Sequence, residues 1–405
     1  MPLDVNNPNA VRAYGMEYEV QTLQDTFMWR NNLLKPVLDG GAGGDNAPLW
    51  MSDALGTRKP GTAGAGWQEV IPFLGAAEGY ATTGNNPIAG SETIPKQYSD
   101  VVQINTWRKA VISPGPFSDQ IGLRPHRDIC LTQQKDYWPV HYDNHIIAKL
   151  TGSVGNSSFV YFDAAAPVTS ARDEVGSLAA DGNDLRPSSA TRTVYGTAAS
   201  GSTGLATTDT LSAKGIERCI AKALVRNNNT TTNRVAKPLS IQGQRAAILL
   251  ADWSCINDLM ESTSSRFFLQ QQAMTQGGKG SAITDSMPDL FCIYLSPTGL
   301  KVYILPHPDL IRYNASTLGP DGGALAVKAI SNLMLFRHAG HMVVGKDAKE
   351  LPMYNIYEEF IDAGGKFRAT ASNNYGFQKV SFSTTETGTT RQDYGVINYL
   401  CYSNF

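Results

Sequence analysis

The sequence predicts an α+β protein, and three observations predict it. Apolar residues at four-residue spacing mark helices within 117–150 and from Ser212 onward. The run AAILLAD at 246–252 has the unbroken apolar character of a strand buried on both faces. Alternating apolar residues at 289–305, with three or four further strands from Met353 onward, supply the rest of the β structure.

The elements follow in order. Val20 to Leu34 reads as one helix, with Leu23, Phe27, Leu33 and Leu34 near one side, and Gly40 to Gly44 break it. Residues 57–113 look extended: GTRKPGTAGAGWQEVIPFLG, a Gly/Asn/Pro-rich turn region, then the strand SDVVQINTWRKAVIS. So few apolar residues cannot make a core hairpin, so this excursion is expected to lie over something else. In 117–150, Pro125 can open a helix and Pro139 must kink or restart it. Trp138, Tyr142, Ile146 and Leu150 then form one stripe, and Gly152 ends it.

Residues 151–210 are rich in Gly, Ser, Thr, Ala and Asp without periodicity, and read as a long irregular loop or insertion. The helix from Ser212 carries Ile216, Ile220 and Leu224. Asp252 can cap a helix bearing Trp253, Ile256 and Leu259, and another helix is expected around Phe267 to Met274. Ser-Pro-Thr-Gly at 296–299 suits the turn of a hairpin. Residues 324–336 read as an apolar helix, with Val327, Ile330 and Met334 near one side.

Composition narrows the function classes. The chain has 405 residues, enough for two or three domains at roughly 150 each. Its charged fraction of 17% is low, and the net charge is −2. Neutral, loop-rich surfaces suit repeated contact with like surfaces. There is no run of Lys and Arg, so any contact with nucleic acid should be weak, non-specific and confined to one face. Five scattered cysteines (Cys130, Cys219, Cys255, Cys292, Cys401) read as reduced, mostly buried thiols. The opening residues lack the pattern of a signal peptide, and no run of about 18 apolar residues suggests a membrane span.

Candidate chemistry is sparse. His141 and His145 stand at i and i+4 on one helix face, where a zinc-dependent hydrolase would need them. The Glu of the zinc-hydrolase pattern and a marked third ligand are missing, so ordinary packing explains them better. Arg337, His338 and His341 have the wrong spacing for a helical pair. Glu358, Glu359 and Asp362 would splay to both faces of a strand. The Gly-rich stretches at 40–44 and 200–204 lack the Lys-Ser/Thr ending of a phosphate loop and read as flexible loops. Trp107-Arg108-Lys109 and Lys366-Phe367-Arg368 read as solvated strand faces. No catalytic, cofactor or metal residues are assigned, and no cofactor is expected.

Four segments, in order, resemble the major capsid proteins of N-four-type tailed bacteriophages. They are TRKPG with GSETIPKQYSDVVQINTWRKAV; DYWPVHYDNHIIAKLTG; VAKPLSIQGQRAAILLADWSCINDLMES with SSRFFLQQQAMTQGG; and EEFIDAGGKFRATASNNYGFQKVSF with QDYGVINYLCYS. Together they run in order from 57 to 403. The resemblance implies the Johnson fold of tailed-phage shells. It implies an N-terminal arm at 1–56 and an extended β-hairpin loop with flanking strands at 57–113. A peripheral domain at 114–238 would hold the long helix and the irregular insertion (151–210). A mainly axial domain would follow at 239–350, with C-terminal strands at 351–405 returning to the peripheral domain.

The function so implied is self-assembly, through pentamers and hexamers, into an icosahedral shell enclosing double-stranded DNA. Scaffold, portal and possibly cement proteins would be partners, DNA would be touched non-specifically, and no membrane is involved. The protein would be part of the virion, assembled in the host bacterial cytoplasm. The competing readings are an encapsulin-type nanocompartment shell, the zinc hydrolase on His141 and His145, and a secreted glycan-binding β protein.

Overall fold

The computed structural model describes residues 25–36, 47–53, 68–74, 97–113, 126–153, 183, 185–196, 201–224, 235–241, 244–262, 287–320, 323–344, 354–361, 366–383 and 391–403. Among them, two sheets carry the fold. The first is six-stranded: β1 (Leu34–Pro36), β2 (Leu49–Asp53), β13 (Gly340–Val344), β15 (Lys366–Lys379) and β14 (Tyr354–Ile361) in that order, with β5 (Asn105–Ile112) also on β15. Helix α2 (His126–Thr151) packs across β15 and β5. The preceding short helix α1 (Phe27–Arg30) leads into β1.

The second sheet is eight-stranded. Its path runs β6 (Thr193–Tyr195), β18 (Val396–Tyr402), β12 (Ala329–Leu335), β8 (Gln244–Ala251), β10 (Lys301–Pro306), β9 (Cys292–Leu295). Strands β11 (Arg312–Tyr313) and β7 (Leu239–Ile241) attach to β12 and β8. Helix α3 (Ala213–Leu224) lies on β18, and α4 (Trp253–Ser262) follows β8. One apolar core joins both sheets and α2. Two separate hairpins complete the described structure, β3 (Gln68–Leu74) with β4 (Gln97–Gln103), and β16 (Ser381–Ser383) with β17 (Arg391–Asp393).

Several expectations are met for the reasons given. The Trp138, Tyr142, Ile146 and Leu150 stripe is buried. Gly152 follows it at φ +71, its N–H donating to the Ala148 carbonyl. A Cβ there would lie 1.7 Å from the Arg186 carbonyl oxygen, so only glycine fits. Asp252 caps α4 by accepting from the Ser254 N–H at 2.9 Å. The 289–305 hairpin forms as β9 and β10, closed by Gly299 donating to the Ser296 carbonyl.

Other expectations are corrected. The segment 324–336 contains strand β12 and no helix. All seven β12 residues are buried, and the strand is paired on both edges, to β18 and β8. A strand covered on both faces needs no polar alternation, so its apolar run imitates a helix stripe. The helix drawn from Val20 to Leu34 is, within the described residues, only Phe27–Arg30. Thr26 caps its start and Asn32, at φ +54, turns the chain out into β1. Pro139 does not restart the long helix, which is continuous over 26 residues. Its missing N–H removes one helical bond, and burial of the surrounding stripe outweighs that loss.

The stretch 151–210 is not irregular throughout, since β6 pairs in parallel with β18 and Ser202–Gly204 form a packed 3-10 turn with Ser202 buried. Gly376 sits inside β15. The expected helix at 267–274, Gly40 to Gly44, Asp362 and most of 151–184 lie outside the described residues.

Candidate functional site

The residues with chemical potential are placed as follows. His141 and His145 lie on one face of α2, both buried against Trp107, with His141 also against Trp138 and His145 against Tyr375. His145 Nδ1 is 2.9 Å from the Tyr375 hydroxyl, and the two imidazole rings are 6.2 Å apart. Among the described residues no group of three or more His, Cys, Asp or Glu side chains could hold a metal. A hydrolase also needs substrate access, and these rings are enclosed by aromatic side chains.

His341 is buried on β13, and its pKa is lowered to about 4, first by burial and then by neighbouring His338. His338 occupies the turn before it at φ +58. Glu359 pairs with Arg368 on an exposed sheet face, and Glu358 points to the other face, as alternation requires. Trp107 is core, while Lys109 lies over the Tyr137 ring at 4.8 Å.

What the structure does assemble is a set of long-range ties at two roots. The first holds the β3–β4 hairpin. Arg186 Nη1 contacts the Asp100 carboxylate at 2.6 Å and also donates to Ser381 Oγ at 2.8 Å. The same carboxylate accepts from the Ser381 N–H at 3.1 Å. Three residues on, the Asn183 side chain takes the Gln103 N–H at 2.8 Å and donates to the Gln103 carbonyl at 2.7 Å. That side-chain amide completes β4 as a neighbouring strand would. Buried Lys149 of α2 in turn donates to the Asn183 carbonyl. Beneath, the Gln103 carbonyl approaches β15 so closely that a Cβ on Gly376 would lie 1.9 Å from it.

Behind this root, fully buried Lys379 reaches Asp393 at 3.2 Å and Ser188 at 3.3 Å. Its pKa is lowered, first by burial, with Asp393 opposing. Charged hydrogen bonds of this kind contribute roughly 1.5–3 kcal/mol each, and leaving one partner alone costs more.

The second root holds the chain entering β1. Asp143 of α2 accepts the Phe27 N–H at 2.8 Å and the Met28 N–H at 3.3 Å, at the start of α1. Burial raises the Asp143 pKa to about 7, against the lowering by those two N–H groups. Asn31 Nδ2 donates to Asp289 at 2.8 Å, and Arg30 pairs with the same carboxylate. Between these elements and the 306–309 turn lies a cavity of about 470 Å³, lined among others by Asp143, Trp253, Asp289, His307 and Asp309. His307 is buried there, with its pKa lowered to about 3 by burial.

Sequence reasoning marked none of Asp100, Asn183, Arg186 or Lys379, and it weighed Asp143 only as an assistant to a metal site at His141 and His145, not as the tie to Phe27 and Met28. Each acts on a partner between 14 and 281 positions away.

This architecture is the fold of tailed-phage capsid proteins. It is similar to the capsid of Ralstonia phage GP4, at 20% identity and TM-score 0.71, over 95% of this chain and 93% of that one. It is also similar to the capsid of cyanophage Pam1, at 13% identity and TM-score 0.59, over 94% and 93%. The head structure of Helicobacter pylori bacteriophage KHP40 matches at 12% identity and TM-score 0.54, over 89% of each chain. No protein-family model and no curated protein matches the sequence. Among the described residues no helix is long and apolar enough to cross a membrane.

Proposed function

We propose that this chain is the major capsid protein of a tailed bacteriophage, and that copies of it form the icosahedral shell around double-stranded DNA. The observation that carries the reading is the fold match to the Ralstonia phage GP4 capsid over nearly the full length of both chains. The role is structural: the conspicuous polar side chains tie elements together, and the two histidines at α2 are enclosed. Residues 1–56 act as an arm and 57–113 as a loop lying over a neighbouring subunit. The segment 114–238 is the peripheral domain and 239–350 mainly the axial domain.

The work is geometric. One chain makes several different contacts that close at pentamers and hexamers instead of running into a filament. Each contact is weak alone, and the shell is stable because every subunit is held by several at once. Scaffold, portal and possibly cement proteins complete the particle in the host cytoplasm, and the low charge keeps DNA contact non-specific.

Electron microscopy of the chain expressed alone, and with its phage's scaffold, tests the reading. Closed shells are expected in at least one sample, and dispersed subunits in both would overturn it. Deleting residues 67–95 should leave a soluble monomer without particles. Normal shells from that deletion would sink the overlay role.

A further inference from the structure

We propose that Cys255 and Cys401 form a site of oxidative modification, an intrachain disulfide joining helix α4 to strand β18. Their sulfurs lie 3.3 Å apart, and both side chains are fully buried. Asn332 of β12 donates its Nδ2 to Cys401 Sγ at 2.9 Å and to Cys255 Sγ at 3.6 Å, so one amide holds the pair together. A disulfide requires a further approach of about 1.3 Å, within reach of side-chain rotation. The other three cysteines sit apart on α2, α3 and β9. This inference is independent of the shell reading.

The oxidant is a small-molecule disulfide such as oxidised glutathione. One protein thiolate attacks it, giving a mixed disulfide and releasing one small thiol. The second protein thiolate then displaces the other. The two protein thiols lose two electrons and two protons, and the sulfur–sulfur bond of the oxidant is reduced to two thiols. Burial makes the reaction wait for local opening of α4, whose outer face already exposes Trp253 and Met260. Reducing surroundings keep the thiols apart, and the link forms once the protein meets oxidising ones. It closes a loop between positions 146 apart, which restricts the unfolded chain.

The test uses the full chain, held with oxidised glutathione or with dithiothreitol, then denatured in an alkylating agent and mapped by mass spectrometry. Of the five cysteines, three should be alkylated after oxidation, with the Cys255 and Cys401 peptides linked, and all five after reduction. The oxidised form should melt roughly 5 °C higher. Five alkylated cysteines after oxidation, glutathione retained on either sulfur, or a link between other cysteines would overturn the proposal. Cys255→Ser and Cys401→Ser should each abolish the link and the melting shift. The wild-type map decides the matter if either variant fails to fold.

Discussion

The Arg186 guanidinium lies 2.6 Å from the buried Asp100 carboxylate, and this part-buried pair fastens the hairpin root to strand β16 through Ser381. Truncation by Arg186→Ala leaves Asp100 buried without its cation. The expected loss is about 3 kcal/mol, measured by urea unfolding. Limited proteolysis should cut the β3–β4 strands faster in this variant than in the native chain.

Gly376→Ala places a methyl group 1.9 Å from the Gln103 carbonyl oxygen. Overpacking of this kind costs about 2 kcal/mol or more, because both partners are backbone. Gly299→Ala is the control: it adds strain at φ +79 but meets nothing within 4 Å, so it should cost only about 1 kcal/mol. Thermal melts of the two variants side by side check the difference.

Acid dependence should reveal Asp143. Its folded pKa of about 7 is above the ordinary 3.8, so its contribution is greatest at low pH and is lost as pH rises through 7. His307, lowered to about 3, and His341, lowered to about 4, work in the opposite sense. Their contributions are present above about pH 6.5 and are lost as pH falls. Asp143→Asn removes the opposing slope, so stability should fall more steeply between pH 7 and 4 than in the native chain. Urea unfolding across that range is the measurement, and an unchanged slope would contradict the assignment.

Lys379→Met should cost about 3 kcal/mol, because it strands the buried Asp393 carboxylate. Adding Asp393→Asn removes that charge, so the double variant should lose less than the two single losses combined. A double-mutant cycle by calorimetry gives the coupling.

Much of the fold was legible in local spacing. The α2 stripe, the Asp252 cap, the β8 run and the 296–299 turn each follow from residues within one element. Strand β12 was not legible, because strands on both edges and cover on both faces remove the alternation that marks a strand. Its interior Ser331 and Asn332 find side-chain partners far off in the chain, Asn398 and Cys401 on β18 and, for Asn332, also Asp252 and Cys255. The roots were hidden for a related reason. Asn183 behaves as a strand neighbour to Gln103 across 80 positions, and nothing near either residue announces it. The capsid reading came instead from the order of four motifs, which include strands β4, β7, β8, β15 and β18.

The eight-stranded sheet places β18 between β6 and β12, although β18 follows both in the chain. During synthesis β6 therefore has no edge to join until residues 396–402 have left the ribosome. Strands β8, β10 and β12 can associate earlier, but the sheet stays divided until that late insertion. A growing chain is thus kept from completing this sheet until its last strand has been made. For the shell subunit proposed above, that delay separates folding from premature association of copies tethered on one polysome.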